Sequence, residues 1–248
     1  MSASGKIREH YGWRARIGLI YMASSTVMEP EFYAMAPEGV SIHTSRIHLP
    51  EATVEGLTAM MEGEEVERCT RELARAPLHV IVFGGTSATF LKGIVWDKEV
   101  RSRMETVADG IPATTTSSAV LKALRACGAE RVSVVTPYIE EITERARNFL
   151  EQAGFVVVGA EGMHIKDDHE IGAVTTEQVY DFAREVVKPE ADAVFISCTN
   201  LRTIGAIAPL EEALGVPVIS AIQASLWNCL RIAGVDDEVD GFGQLLCH

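Results

Sequence analysis

Cys198 stands in the segment SCTN, just past a short apolar run, and is the side chain of this sequence best suited to proton chemistry. A thiol beside a helix start is expected to ionise below its ordinary value of about 8.5 and to exchange a proton with carbon as general acid or base. Chemistry at a carbon next to a carbonyl drives negative charge onto oxygen, and that charge needs donors fixed in advance. Thr86 and Ser87 in GGTS, Tyr138 in TPY, and the backbone amides near Thr199 and Asn200 are donors of the right kind. Ser24, Ser25 and Thr26 read as polar wall residues. Each has a plainer reading. A cysteine at a strand end is usually core. Thr86 and Ser87 would also cap a helix, Tyr138 would serve as a rim aromatic, and Thr199 or Asn200 would shape a loop. The segment HIKDDH holds His164, Asp168 and His169, residue types that ligate metals, yet a solvated loop accounts for it better. Neither CxxC, GxGxxG nor a P-loop occurs, and GGTSA is not the GxSxG elbow of a serine hydrolase. Cys69, Cys127, Cys229 and Cys247 read as structural or incidental.

These groups need elements to carry them. The runs at 17–21 (IGLIY), 79–83 (HVIVF), 132–135 (VSVV), 155–158 (FVVV), 193–196 (AVFI) and 216–219 (VPVI) read as strands. Runs that are apolar throughout fit strands buried on both faces, in a parallel sheet covered by helices. Segments 52–76, 140–152 and 176–187 read as helices; Gly154 stops the second and a Thr-Thr pair caps the third. Alternating strands and helices predict an α/β fold with its site at the C-terminal strand ends. The stretches around 27–46 and 159–173 read as loops that wall the pocket.

The two halves of the chain resemble each other. IGLIYMASST aligns with VSVVTPYIEE at an offset of 115, and the strand of HVIVFGGTSAT with that of AVFISCTNLRT at 113. IPATTTSSAVLKALRACG aligns with VPVISAIQASLWNCLRIAG at 105. Three matches in one order predict two pseudo-symmetric lobes facing across a cleft. The first lobe would take residues 1–115 plus about 220–248, and the second 116–219. Gly85 is then the counterpart of Cys198. A thiol on each side would move protons on opposite faces of a carbon; here one side carries a thiol and the other a glycine.

Composition narrows the function. The 248 residues hold 22 Lys and Arg against 35 Asp and Glu, for a net charge of −13. That balance disfavours nucleic acid and anionic membranes, which need clustered cations. No apolar run approaches a membrane span, and the first residues lack the apolar core of a secretory signal. Five cysteines, an odd number, read as reduced thiols of a cytoplasmic protein. A homo-oligomer stays open: segment 52–76 could pack on a partner, and its charges equally suit solvent.

The motifs IGLIYMASSTVMEPE, VFGGTSATF, VTPYIEEITER and FISCTNLRTI occur in that order. Through them the chain resembles, over nearly its whole length, the aspartate/glutamate racemase superfamily, and within it the arylmalonate decarboxylase and maleate isomerase branch. The resemblance implies two flavodoxin-like α/β lobes, each a short parallel sheet flanked by helices, with the active site between them. Racemases of this superfamily use two cysteines, one per half, and only Cys198 is present here. Maleate isomerases match at Met28 and Glu29, but their first-half cysteine nucleophile is replaced by Gly85. Ser25 and Asp168 stand where two asparagines of those enzymes hold substrate carboxylates. Arylmalonate decarboxylases have the glycine and the single cysteine, and Gly85-Thr86-Ser87 and Tyr138 fit their pattern. Met22-Ala23-Ser24-Ser25 replaces their proline-rich turn. The resemblance implies an enzyme without cofactor or metal that acts on a small carboxylic acid. Cys198 would be catalytic, and Gly85, Thr86, Ser87, Tyr138, Thr199, Asn200 and Ser25 would line the substrate. Decarboxylation of a substituted malonate is the first expectation. The alternatives are an isomerase or racemase with a non-cysteine second base, including forms like the ectoine-utilisation proteins, and a binding protein that kept only the cleft.

Overall fold

The computed structural model describes residues 11–49 and 51–247. Its strands are β1 (Ala15–Met22), β2 (Val40–Ile47), β3 (Val80–Gly84), β4 (Ala113–Thr115), β5 (Arg131–Thr136), β6 (Val156–Gly162), β7 (Ala193–Ile196) and β8 (Val218–Ser220). Helices α1 (Met28–Met35), α2 (Val54–Glu62), α3 (Glu65–Leu73), α4 (Thr86–Phe90), α5 (Ile94–Val107) and α6 (Thr116–Ala126) fall in or end the first half. Helices α7 (Glu140–Gln152), α8 (Asp168–Ala173), α9 (Thr176–Val186), α10 (Ile204–Leu214) and α11 (Ala221–Ile232) follow. The strands form two parallel four-stranded sheets of the same order, β2-β1-β3-β4 and β6-β5-β7-β8. The internal repeat is therefore architectural: each offset read from the sequence lands a strand on its topological equivalent.

Central strands β1, β3, β5 and β7 are buried almost throughout, as both faces are covered by helices. The edge strand β2 was expected as loop. Its sequence, VSIHTSRI, buries only Ile42 and Ile47, since an edge strand with a wet face carries polar residues. The three-residue strands β4 and β8 each run straight into a helix, capped by Thr115 and Ser220. The helix expected over 52–76 is two helices. Gly63 closes α2 in an extended conformation, and α3 then turns Val66, Cys69 and Leu73 inward against β2. Two further elements, α1 and α8, also occupy stretches read as loops.

The lobes are tied by α6 and α11, which pack on each other, and by a buried carboxylate. Glu31 of α1 accepts hydrogen bonds from the Thr203 amide (2.7 Å), the Thr203 hydroxyl (3.0 Å) and the Ile204 amide (3.3 Å), at the start of α10. Burial pushes its pKa from 4.5 up to about 7 against those three bonds. Between these values the folded protein holds a proton that the unfolded chain has released. Its stabilising contribution is thus complete below pH 4.5 and lost as pH rises through 7. Glu31→Gln keeps the acceptor for both amides and offers a donor to Thr203. Urea midpoints of this variant should lose the native decline, worth about 3 kcal/mol, between those pH values. An unchanged slope would assign the decline to other groups.

Candidate active site

Strand β7 ends at Ile196, and Cys198 lies two residues on, 5% exposed, with φ +103°. Residues other than glycine rarely adopt this backbone, and such strain persists only where the surroundings impose it, often at working sites. The amide of Asn200 points at the sulfur, 3.3 Å away. The site is also where the first lobe ends β3 and opens α4. The Thr199 hydroxyl donates to the Gly84 carbonyl (2.8 Å), which ties the cysteine loop to that strand end.

Three hydroxyl groups, those of Tyr138, Ser87 and Ser197, meet there. Tyr138, just past β5, is 3% exposed and sets its ring edge-on to Phe90 at 6.4 Å. Its phenol faces the Cys198 thiol, Ser197 and Ser87. Thr86 Oγ1 and Ser197 Oγ are buried without a hydrogen-bond partner. Buried polar atoms are nearly always satisfied, so these two hydroxyls, one next in the chain to Ser87 and one next to Cys198, mark a place for a polar ligand. Ser87 is half-buried at the start of α4, whose first amides have no partner within the helix.

Of the residues singled out from sequence, Cys198, Ser87 and Tyr138 thus share one locus, and Thr86 is buried next to Ser87 in the chain. The side chains of Ser25, Thr199 and Asn200 are engaged by the protein. Ser25 Oγ accepts from the Val27 amide (3.5 Å). Asn200 bridges the lobes, accepting from the Thr26 amide (3.3 Å) and donating to the Asp168 carbonyl (2.7 Å). Sequence reasoning missed Ser197, whose only signal was its place beside the cysteine. Asp168, read from the residues as part of a solvated loop and from the resemblance as standing at the place of a substrate-binding asparagine, lies in the first turn of α8 and accepts from Ser24 Oγ at 2.5 Å. Among the described residues no group of three His, Cys, Asp or Glu is placed to hold a metal ion, and no helix is long and apolar enough to cross a membrane.

Gly85 has an ordinary φ of −130°, so its backbone does not demand glycine. A Cβ there would lie 2.8 Å from the Phe83 ring and 3.1 Å from the Met22 methyl, so a side chain at this place needs those two to shift.

The expected depression of the Cys198 pKa is reversed. Helix α10 starts only at Ile204, so no helix terminus backs the sulfur. Burial, and then the charge of Asp168, push the thiol up to about 12, against hydrogen bonds from Tyr138 and the Asn200 and Leu201 amides. The thiol is a stored proton rather than a standing nucleophile. Burial, followed by the neighbouring sulfur, likewise drives the Tyr138 phenol upward, so it remains a donor.

The arylmalonate decarboxylase family matches residues 17–246. The maleate isomerase of Nocardia farcinica is 32% identical over 240 residues, 93% of this chain and 95% of that protein. The arylmalonate decarboxylase of Bordetella bronchiseptica is 31% identical over 232 residues, 92% and 95% of the two chains. A cysteine-to-serine variant of the N. farcinica isomerase, solved with a covalently bound succinylcysteine intermediate, superposes with a TM-score of 0.88 at 29% identity, covering 94% of this chain and 98% of that one.

Proposed function

The chain belongs to the arylmalonate decarboxylase family, and on that premise we propose that it decarboxylates a substituted malonate-type acid, with Cys198 as general acid. The observation that carries this reading is the asymmetry of the cleft. One protonated thiol meets the Tyr138 phenol amid serine hydroxyls, and the opposite position, Gly85, has no reactive group. Thr86, Ser87 and Tyr138 hold the carboxylate that stays. The bond from the α-carbon to the other carboxylate breaks, CO₂ departs, and the electron pair spreads into an enediolate held by the same donors. Cys198 then gives its proton to the α-carbon, and the thiolate regains one from water. The enediolate is far more basic than a thiolate, so the transfer runs downhill despite the raised pKa. Gly85, Ser25, Thr199 and Asn200 shape the walls. Five free thiols support a cytoplasmic setting for this enzyme.

The isomerase reading draws on the likeness to maleate isomerases. It needs a thiol ready to add to a double bond, and the high pKa of Cys198 works against that. Incubation with a panel of substituted malonates in heavy water separates the readings. CO₂ release with one deuteron placed stereospecifically at the α-carbon is expected. Exchange at the α-carbon of the parent acids, or isomerised product, without CO₂ would replace decarboxylation by the second reading. Binding with neither would leave a carboxylate-binding protein.

A further inference from the structure

Asp168 introduces a negative charge where an acid-binding cleft would be expected to avoid one. Its Oδ2 accepts from Ser24 of the first lobe. Among the described residues no donor reaches its Oδ1, and no Lys or Arg forms an ion pair with it. Beside it Asn200 accepts from the Thr26 amide and donates to the Asp168 carbonyl. The carboxylate is near enough to Cys198 to act on the thiol electrostatically. Asn200 joins the two, its amide on the Cys198 sulfur (3.3 Å) and its side chain on the Asp168 carbonyl (2.7 Å), so a ligand beside the sulfur lies within electrostatic reach of Asp168. An anion there meets repulsion from the carboxylate. A group bearing N–H donors and positive charge meets an open acceptor oxygen.

We propose that Asp168 is a specificity-determining residue that selects malonate-type acids whose α-substituent carries an ammonium group and rejects acids that extend a further carboxylate to the mouth. The selection rests on the carboxylate-binding site described under the proposed function. It departs from the resemblance, in which an asparagine at this place holds a substrate carboxylate.

The test is calorimetric binding of aminomalonate, methylmalonate and maleate to the native protein and to Asp168→Asn, which exchanges one oxygen for a nitrogen of similar size and leaves an acceptor for Ser24. Aminomalonate and methylmalonate are close in shape and differ in the ammonium. The native protein should bind aminomalonate at least about tenfold more tightly than methylmalonate, the range of a charge-assisted hydrogen bond. Asp168→Asn should erase that ratio and gain about tenfold for maleate. Ser24→Ala, which leaves the carboxylate in place, should keep the native ratio and covers the case of a poorly folded Asn variant. A native protein that binds both malonates equally, or a ratio that survives Asp168→Asn, overturns the selection while leaving the carboxylate site intact. Failure of all three acids to bind any of the proteins removes the site, and the selection falls with it.

Discussion

Cys198→Ser should fold as the native protein does and lose about 10²–10⁴-fold in turnover of its malonate-type substrate, the usual contribution of a positioned general acid. Serine preserves the shape of the side chain and the bond from the Asn200 amide. Its hydroxyl is a much weaker acid than even a thiol raised to about 12. The deuterium pattern should change along with the rate. Residual product formed without the thiol should carry deuterium on both faces, because protonation then comes from water. Retained stereochemistry at reduced rate would move the acid role to another group. The native enzyme gives a companion result in its pH profile. The working form is the protonated thiol, so the raised pKa extends that form upward. Turnover should stay level from pH 7 to about 10, a range over which a thiol of ordinary pKa near 8.5 would have ionised. Alkylation by iodoacetamide at pH 8 should be slow at Cys198 and fast at exposed Cys247. A turnover that collapses near pH 8.5 would mean that the thiol is neither buried nor coupled to Asp168 in solution.

What could be read from residues follows from how local each cause is. The central strands announce themselves because burial on both faces leaves only apolar side chains, as in VIVF of β3 and AVFI of β7. The pairing of Gly85 with Cys198 emerged from internal similarity alone, and the equal order of the two sheets explains why. Strand β2 stayed hidden because its alternation of polar and apolar residues is spoiled by Thr44, Arg46 and Ile47 at a solvated edge. The break between α2 and α3 turned on Gly63, a single residue in a segment whose Glu and Arg otherwise favour helix. Site residues divide in the same way. Thr86 and Tyr138 were visible as donors beside a strand end. The direction of the Cys198 pKa was not, because it depends on burial by both lobes and on Asp168, thirty positions upstream. Ser197 carried no distinguishing pattern; only a structure shows that its hydroxyl has no partner.

Tyr138→Phe should lower kcat about 10²–10³-fold, the cost of removing one oxyanion donor, with a small change in KM. The substitution deletes one atom. The ring keeps its edge-on contact with Phe90 and its burial, so the thermal midpoint should hardly move. The lost hydroxyl is the group that faces thiol, Ser87 and Ser197 together. It matters more in the transition state than in the ground state because the carboxylate that stays gains charge as CO₂ leaves, and a neutral donor in a dry site responds to that gain. A protein of net charge −13 that handles an anion has reason to use such donors. Hydroxyls and amides stabilise developing charge without the large desolvation cost of a buried cation. Burial keeps the phenol protonated, so the defect should be constant across neutral pH. If KM rises and kcat holds, Tyr138 binds ground and transition states equally, and Thr86 with the first amides of α4 would carry the oxyanion. If both constants stay native, the phenol does not belong to the oxyanion site, and its meeting with Cys198 is a packing contact.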